Sequence, residues 1–294
     1  MSARCCKRIL LGALALSVLV GSADAVDAAE AQKQITIAIL PCFDIVMTYK
    51  KFHPLIMFLE ERTGYDIKMA IQTDISEFEL SIRNGDIDFA LQDPHTYVNL
   101  AELYNRDVLL RTRTPDGATS RRGVIIARRD SGIDDVADLE GKTVMFGPKQ
   151  SIAKWVAAKM LLEENGIDVD EDLRAYRNGR CCEDIAFNVY LEAFDAGAVC
   201  KHFIDEYSTE QDGLGIDMNE IVVIGETDFV PTRVFAARKT IDDDIVEKIA
   251  DALLGINMTD SVQAKMMKQA ELGGFERIRD EDYDDIRALV GVER

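Results

Sequence analysis

The stretch that decides the fold is GDIDFALQDPHTYV, residues 85–98. Its apolar run IDFALQ (87–92) predicts a buried strand. Asp93 and Pro94 predict that a helix begins directly after this strand, because aspartate caps helices and proline is tolerated in the first turn. A strand followed at once by a helix is the repeating unit of α/β proteins.

The segments on both sides repeat this alternation. Upstream, ITIAIL (35–40) predicts a strand, HPLIMFLEERTG (53–64) predicts a helix with Pro54 in its first turn, and residues 76–79 form a capping box. Further strands are predicted at 123–128, 143–147, 195–200, 221–225 and 233–237, with a closing helix from Asp242. The sequence therefore predicts an α/β protein with mostly parallel sheets.

The N-terminus predicts export. Residues 1–25 contain three basic residues before an apolar run over 9–20, and they end in Ala-Asp-Ala. This is the layout of a cleaved signal peptide. Cys5 and Cys6 precede the apolar run and would be lost with the signal. No later segment reaches the roughly 20 apolar residues that a membrane-spanning helix needs, so we expect a periplasmic protein.

The charge of the chain restricts its partners. The 294 residues carry a formal net charge of −19. Such an acidic surface argues against nucleic acid and against anionic membrane surfaces. A small anionic ligand is still compatible, because a helix N-terminus can bind an anion locally.

Six segments, in order, resemble the periplasmic phosphonate-binding proteins, the PhnD-like branch of the type II solute-binding proteins of ABC transporters. These segments are FHPLIMFLEERTG, GDIDFALQDPHTYV, GVIIARRDSGI, DLEGKTVMFGPKQS, DAGAV and GGFERIRDEDYDDIRALV. The resemblance implies a two-lobed type II periplasmic-binding fold, in which each lobe is a sheet flanked by helices and two crossovers form the hinge. Lobe one would comprise residues 32–125 and 228–294, and lobe two residues 126–227.

The resemblance also implies a ligand site at a helix start in lobe two. There the family presents a Ser-Thr-Ser run, whereas this chain has GPKQSIAKW (147–155), which retains Ser151 and replaces the other two hydroxyl residues by apolar ones. Trp155 follows one turn later, and Lys149 or Lys154 could supply positive charge. For these three side chains, ordinary packing or solvation is an equally good interpretation.

Other ligand candidates lie in both lobes. The resemblance points to Tyr97, and more weakly to Tyr49, as lobe-one residues that cover the ligand, with plain packing as the alternative. In lobe two, Glu183 or Asp184 could accept hydrogen bonds from the ligand. The alternative for both carboxylates is capping of their own helix.

Four cysteines remain after export: Cys42, Cys181, Cys182 and Cys200. Each follows a predicted strand or opens the next helix, which places all four on the cleft side of the lobes. A disulfide from Cys200 to Cys181 or Cys182 suits an oxidising compartment. Alternatively, two or three of the thiols contact the ligand.

Two features favour thiol contact with the ligand. A helix N-terminus lowers a thiol pKa, and soft thiolates favour soft metals or metalloids. His202 would share a face with Cys200 if the strand continued through it.

No catalytic constellation accompanies these residues, since both the GxSxG elbow and the GxxxxGK[ST] phosphate loop are missing. His53 and His95 are interpreted as structural or solvated. We therefore predict no enzyme, no cofactor and no bound metal. The prediction is a monomeric binding protein that closes on a small anion of the phosphonate, phosphite or oxyanion class and delivers it to an ABC permease. The alternatives are a sensory binding protein for a membrane histidine kinase and a thiol-based receptor for a metal or metalloid.

Overall fold

A computed structural model describes residues 34–207 and 215–293. The predicted export signal, with Cys5 and Cys6, lies outside these residues. The strands, in chain order, are β1 Ile35–Ile39, β2 Ile67–Ala70, β3 Phe89–Gln92, β4 Tyr104–Arg113, β5 Ser120–Arg121, β6 Gly123–Arg128, β7 Thr143–Phe146, β8 Ala175–Asn178, β9 Ala196–Cys200, β10 Ile221–Glu226, β11 Val230–Pro231, β12 Val234–Arg238 and β13 Gly274–Ile278. The α-helices are α1 Ile45–Thr63, α2 Ile75–Asn84, α3 Pro94–Asn99, α4 Ala157–Glu164, α5 Cys182–Tyr190, α6 Lys201–Tyr207, α7 Asp243–Leu254, α8 Ser261–Gln269 and α9 Asp284–Val290. Within these ranges, no helix is long and apolar enough to cross a membrane.

The strands form two large sheets, one for each lobe. The first has the order β13-β4-β12-β3-β1-β2, and the second has the order β10-β6-β9-β7-β8. Both sheets are mixed. In the first, β1 is parallel to β2 and β3 while β12 runs antiparallel to β3 and β4. In the second, β7 is parallel to β8 and β9 while β6 is antiparallel to β9 and β10. The α/β class and the two-lobed fold are thus confirmed, but the expectation of mostly parallel sheets is corrected, because the strands next to the crossovers pair antiparallel with their neighbours.

Aspartate caps set the starts of the helices in lobe one. Asp93 caps α3 as the sequence predicts, because its side chain accepts a hydrogen bond from His95 N. The predicted capping box at 76–79 is displaced, since Asp74 caps α2 by accepting from Glu77 N. Glu77 in turn accepts from the backbone N–H of Thr73. The N-cap therefore lies at Asp74, two residues earlier than the predicted Ser76.

Helix α1 begins eight residues before its predicted start at residue 53. Asp44 caps it by accepting from Met47 N at 2.8 Å, so the helix is already formed when it reaches Pro54. Pro54 therefore lies inside the helix, and the expectation of a first-turn proline is wrong. The proline lacks an N–H to donate, and tertiary packing compensates, because Phe52, Leu55, Ile56 and Leu59 are buried on one face.

Two crossovers connect the lobes through a small two-stranded sheet. Strand β5 precedes β6 and pairs antiparallel with β11, which precedes β12. Close to this sheet, Gly123 N donates to Thr227 Oγ1 at 2.9 Å. A Cβ atom on Gly123 would lie 2.3 Å from Ala153 O. Ala153 belongs to the π-helical turn Ile152–Val156, which leads into α4 and forms the helix start of lobe two. Only glycine therefore allows the first crossover to pass this helix start. The residue bounds that we assigned to the lobes stay a prediction.

Candidate functional site

A cavity of about 60 Å³ lies between the two lobes. A single water needs on the order of 10–15 Å³, so the cavity suits a small solute. Its polar and thiol lining comes from both lobes and consists of Cys42, Asp93, Arg121, Gln150, Ser151, Lys154, Cys182, Glu183, Cys200, His202, Glu206, Tyr207, Arg233 and Glu271. Leu40, Pro41, Phe43, Ile75, Pro148 and Phe203 complete the wall.

Asp93 joins the lobes at this cavity. One carboxylate oxygen accepts from the backbone N–H of Ile152 at 3.1 Å, at the helix start of lobe two. The other accepts from the guanidinium of Arg121 at 2.9 Å. Burial opposes the charge of Arg121, but the Cys200 thiol and the Asp93 carboxylate outweigh it and raise the arginine pKa. The carboxylate of Asp93 therefore already occupies the place of an anionic ligand in this cavity.

Lys154 supplies a second buried cation, with 4% of its surface exposed. Its Nζ donates to Arg180 O at 3.0 Å and lies 3.9 Å from Cys42 Sγ across the lobe boundary. Burial alone would lower the lysine pKa, but the surrounding thiol groups, Cys42 first, raise it. Gly147 makes room for this side chain, because a Cβ at 147 would lie 2.5 Å from Lys154 Cβ.

Glu271 forms the opposite, anionic end of the cavity. It accepts from Lys51, and its second carboxylate oxygen lies 3.9 Å from His202 Nε2 of the other lobe. Burial would raise the pKa of Glu271, but Lys51 lowers it, with help from Arg233 and His202. Glu271 has φ 58°, the left-handed conformation common just after the end of a helix, and Leu272 N donates to Met267 O at 2.9 Å to close the last turn of α8. The end of α8 therefore sets the position of this carboxylate.

The predicted site residues separate into two groups. The cavity brings together Cys42, Ser151, Cys182, Glu183 and Cys200. Ser151 caps the helix that follows it, since its hydroxyl accepts from Lys154 N at 3.3 Å. Three of the four cysteines, Cys42, Cys182 and Cys200, thus line the cavity between the lobes, while their contact with a ligand stays a prediction.

The other group lies outside the cavity lining. Tyr97 is fully buried in lobe one, where its hydroxyl donates to Asp280 at 2.6 Å, and this burial raises its pKa. The remaining residues of this group are engaged elsewhere. Tyr49 is exposed and stacks on His53, Trp155 packs edge-on against Phe146, Asp184 accepts from Arg180 N at 3.3 Å, and Cys181 precedes α5.

The cysteine chemistry differs from two expectations. Cys42, Cys181, Cys182 and Cys200 are all free thiols, so the predicted bridge from Cys200 is not formed. The helix start also does not lower the pKa of the adjacent pair. Burial, followed by Glu183, raises the pKa of Cys181 to about 12, and a hydrogen bond with Cys200 raises that of Cys182. Glu183 and desolvation outweigh the helix end here.

His202 reaches the cavity by a different route from the predicted one. Strand β9 ends at Cys200, and His202 belongs to helix α6. The two side chains line the same cavity although they do not share the face of one strand. Within the described parts of the chain, no group of three or more His, Cys, Asp or Glu side chains could hold a metal ion.

Sequence reasoning missed the charged residues that the crossovers contribute. Arg121 ends β5, two residues before β6, and Arg233 lies directly before β12, so both lie where the chain passes between lobes. Asp93 was assigned only its capping role. A usable signal was present, since each crossover carries a basic residue just ahead of a buried apolar strand.

The sequence matches known proteins over most of its length. A family model described as "ABC transporter, phosphonate, periplasmic substrate-binding protein" matches residues 37–283. The phosphate-import protein PhnD of Mycolicibacterium smegmatis is 21% identical over 290 residues, which cover 88% of this chain and 85% of that protein. The tetrathionate sensor histidine kinase TtrS of Salmonella typhimurium is 23% identical over 219 residues, which cover 70% of this chain but 37% of the kinase.

The fold also matches a solved structure. PhnD1 of Prochlorococcus marinus, solved in complex with methylphosphonate, superposes with a TM-score of 0.79 at 12% identity and covers 88% of this chain and 97% of that one. At this identity, the likeness shows the shared fold.

Proposed function

Because the chain belongs to the family of periplasmic substrate-binding proteins of phosphonate ABC transporters, we propose that it captures a small oxyanion of the phosphonate, phosphite or phosphate class between its lobes. The ligand is then delivered to a membrane permease. The relative named for phosphate import and the structural neighbour that holds methylphosphonate support this ligand class.

One observation carries the proposal: the Asp93 carboxylate already occupies an oxyanion position at the centre of the cavity. It takes the Ile152 N–H and the Arg121 guanidinium, which are the kinds of donor that bind phosphoryl oxygens at helix starts. Lys154 adds a buried positive charge next to them. A tetrahedral oxyanion that displaces Asp93 would find the same donors.

Closure of the hinge follows from the same contacts. Arg121 and Lys154 belong to the crossover and to lobe two, whereas Asp93 and Cys42 belong to lobe one. A ligand held by both sides binds the closed state more tightly than the open one, and it shifts the population by that difference in affinity. The two-stranded sheet β5 and β11 is where the chain can flex.

The test is calorimetric titration of the exported, reduced protein with methylphosphonate, phosphite and phosphate. We expect Arg121→Ala to weaken binding by about 10- to 100-fold, because a hydrogen bond to a charged group contributes about 1.5–3 kcal/mol. Arg122→Ala is the matched control. Its side chain lies over the ring of Phe229 at 3.7 Å, outside this cavity.

Equal oxyanion affinity of Arg121→Ala and Arg122→Ala would show that Arg121 does not bind the ligand. Failure of all three oxyanions to bind the wild-type protein would reject the proposed ligand class.

Residues 1–25 are proposed to direct export and to be removed, which leaves a monomer in the periplasm. N-terminal sequencing of protein recovered from the periplasmic fraction would begin after Ala25. A mature protein that still starts at Met1 would contradict this.

A second candidate is a sensory role. The similarity to part of a sensor histidine kinase favours it, because the same closure could be reported to a membrane kinase. The observation that separates the two is the partner captured by crosslinking of the ligand-bound protein in intact cells. A permease subunit supports transport, and a histidine kinase supports sensing.

A further inference from the structure

Two thiols meet on the wall of the cavity in lobe two. Cys182 is the first residue of α5 and Cys200 is the last residue of β9. The backbone N–H of Cys200 donates to Cys182 Sγ at 3.3 Å. Gly197 allows this contact, since a Cβ there would lie 2.5 Å from Ile185 Cγ2 and would push α5 off the strand. The fold therefore brings two thiols together that are 18 residues apart in sequence.

Their surroundings make one of the two thiols a nucleophile. A hydrogen bond from Cys182 lowers the pKa of Cys200, and Arg121, His202 and Lys154 lower it further. The pKa of Cys182 is raised, so it keeps its proton. A thiolate beside a thiol is the reactive form of a dithiol.

We propose that Cys182 and Cys200 bind a trivalent metalloid hydroxide covalently, as a second ligand class of this cavity. With arsenite, As(OH)₃ condenses with both thiols. Two As–S bonds form, two As–O bonds break, and the two departing hydroxyls leave as water, one with the Cys182 thiol proton and the other with a proton from solvent, so that one hydroxyl stays on arsenic. Arsenic remains trivalent throughout, so no oxidant or reductant is needed.

The structure favours this ligand over a metal ion. Soft sulfur ligands select soft centres, and two thiols suffice for a condensed ring. A structural metal ion usually needs four ligands, and the described residues offer no cluster of even three. The cavity volume of about 60 Å³ also suits a centre with few atoms. The remaining hydroxyl would lie near Arg121, whose buried Nε has no hydrogen-bond partner among residues 34–207 and 215–293.

The experiment is mass spectrometry of the reduced full-length mature protein after incubation with arsenite, and in parallel with phenylarsine oxide. We expect one adduct per chain, with a mass gain of one arsenite less two waters, or one phenylarsine oxide less one water. Cys182→Ser and Cys200→Ser should each abolish it. Cys42→Ser and Cys181→Ser are matched controls that should retain it. Peptide mapping of the wild-type adduct locates arsenic even if a variant fails to fold.

An adduct that persists without Cys182 or Cys200, one that maps to Cys42 or Cys181, or no adduct at all would overturn the proposal. The inference rests on the proposed function only in using the same cavity. Titration of the same samples with methylphosphonate distinguishes the two proposals. Oxyanion binding can fail while the arsenite adduct forms, and the adduct can fail to form while the oxyanion binds.

Discussion

At the scale of single residues, Lys154 is unusual because it is a buried lysine. A lysine with 4% of its surface exposed usually loses its charge, because burial disfavours the ammonium. Here the thiols around it and the carbonyl of Arg180 keep it charged. Sequence alone could not distinguish this residue from the exposed Lys149 five positions earlier. The burial of Lys154 depends on Gly147 and on the opposite lobe.

Lys154→Met tests the role of this charge. We expect methylphosphonate affinity to fall about 10-fold or more, since a charge-assisted contact contributes about 1.5–3 kcal/mol. The free energy of unfolding should also fall, by about 1–3 kcal/mol, because the Arg180 carbonyl loses its buried hydrogen-bond donor. Lys149→Met is the control and should leave the affinity unchanged. Calorimetry and urea unfolding measure both quantities, and a loss confined to Lys149→Met would reverse the assignment.

Tyr97 was predicted to contact the ligand, but in the structure it stabilises lobe one. Its hydroxyl donates to Asp280 within the core of lobe one. Tyr97→Phe should therefore lower the free energy of unfolding by about 1.5–3 kcal/mol, the contribution of a hydrogen bond to a charged group. Oxyanion affinity should not change.

Tyr49→Phe is the control for that substitution. Tyr49 is exposed and donates no hydrogen bond within the described residues, so neither its stability nor its affinity should change. If Tyr97→Phe weakened ligand binding and left the free energy of unfolding unchanged, Tyr97 would be a ligand-binding residue.

At the scale of elements, the loops that follow strands carry the site. Asp93 follows β3, Cys42 follows β1, Ser151 follows β7, and Cys200 ends β9. The carboxyl ends of parallel strands meet at one edge of a sheet, which is why strand ends in the sequence could point to three of the four cysteines that line the cavity or flank it, Cys42, Cys182 and Cys200. It could not show that Asp93, while capping α3, also reaches a helix in the other lobe.

Asp93→Asn separates these two roles. Asparagine caps a helix about as well as aspartate does, but it leaves the buried Arg121 without its counter-charge. We expect the ligand-free protein to lose about 3–5 kcal/mol of stability, the cost of leaving one partner of a buried ion pair. Methylphosphonate should restore that stability and bind more tightly, because it no longer competes with a carboxylate.

Asp74→Asn is the matched control for Asp93→Asn, since Asp74 caps α2 and is exposed. Chemical unfolding with and without methylphosphonate measures the effect. Equal behaviour of the two variants would mean that Asp93 is only a cap.

The sequence predicted some strands and missed others. Strand β6 was predicted with its observed bounds, because GVIIAR is an unbroken apolar run. Strand β4 was missed because charged residues interrupt it. Two of these, Arg111 and Arg113, pair with Glu276 on the neighbouring β13. When charged residues form ion pairs with the neighbouring strand, neither strand shows the apolar pattern from which a strand is predicted.

At the scale of the whole molecule, the structure is a pair of lobes in contact across the cavity. Arg180 donates to the carbonyls of Phe43 and Thr73, and Asp93 accepts from Ile152, all across the lobe boundary. The two-lobed architecture was accessible to sequence analysis because six segments in order carried it. The arrangement of the cavity was not accessible, since its charged residues, such as Asp93, Arg121 and Glu271, come from distant parts of the chain.

A crystal structure of the mature protein grown with methylphosphonate would show the binding mode directly. We expect closed lobes, with phosphonate oxygens within hydrogen-bond distance of the Arg121 guanidinium and the Ile152 N–H, and with the Asp93 carboxylate displaced from both. Methylphosphonate bound outside this cavity, or a cavity that stays empty at a concentration that saturates the protein in solution, would contradict it.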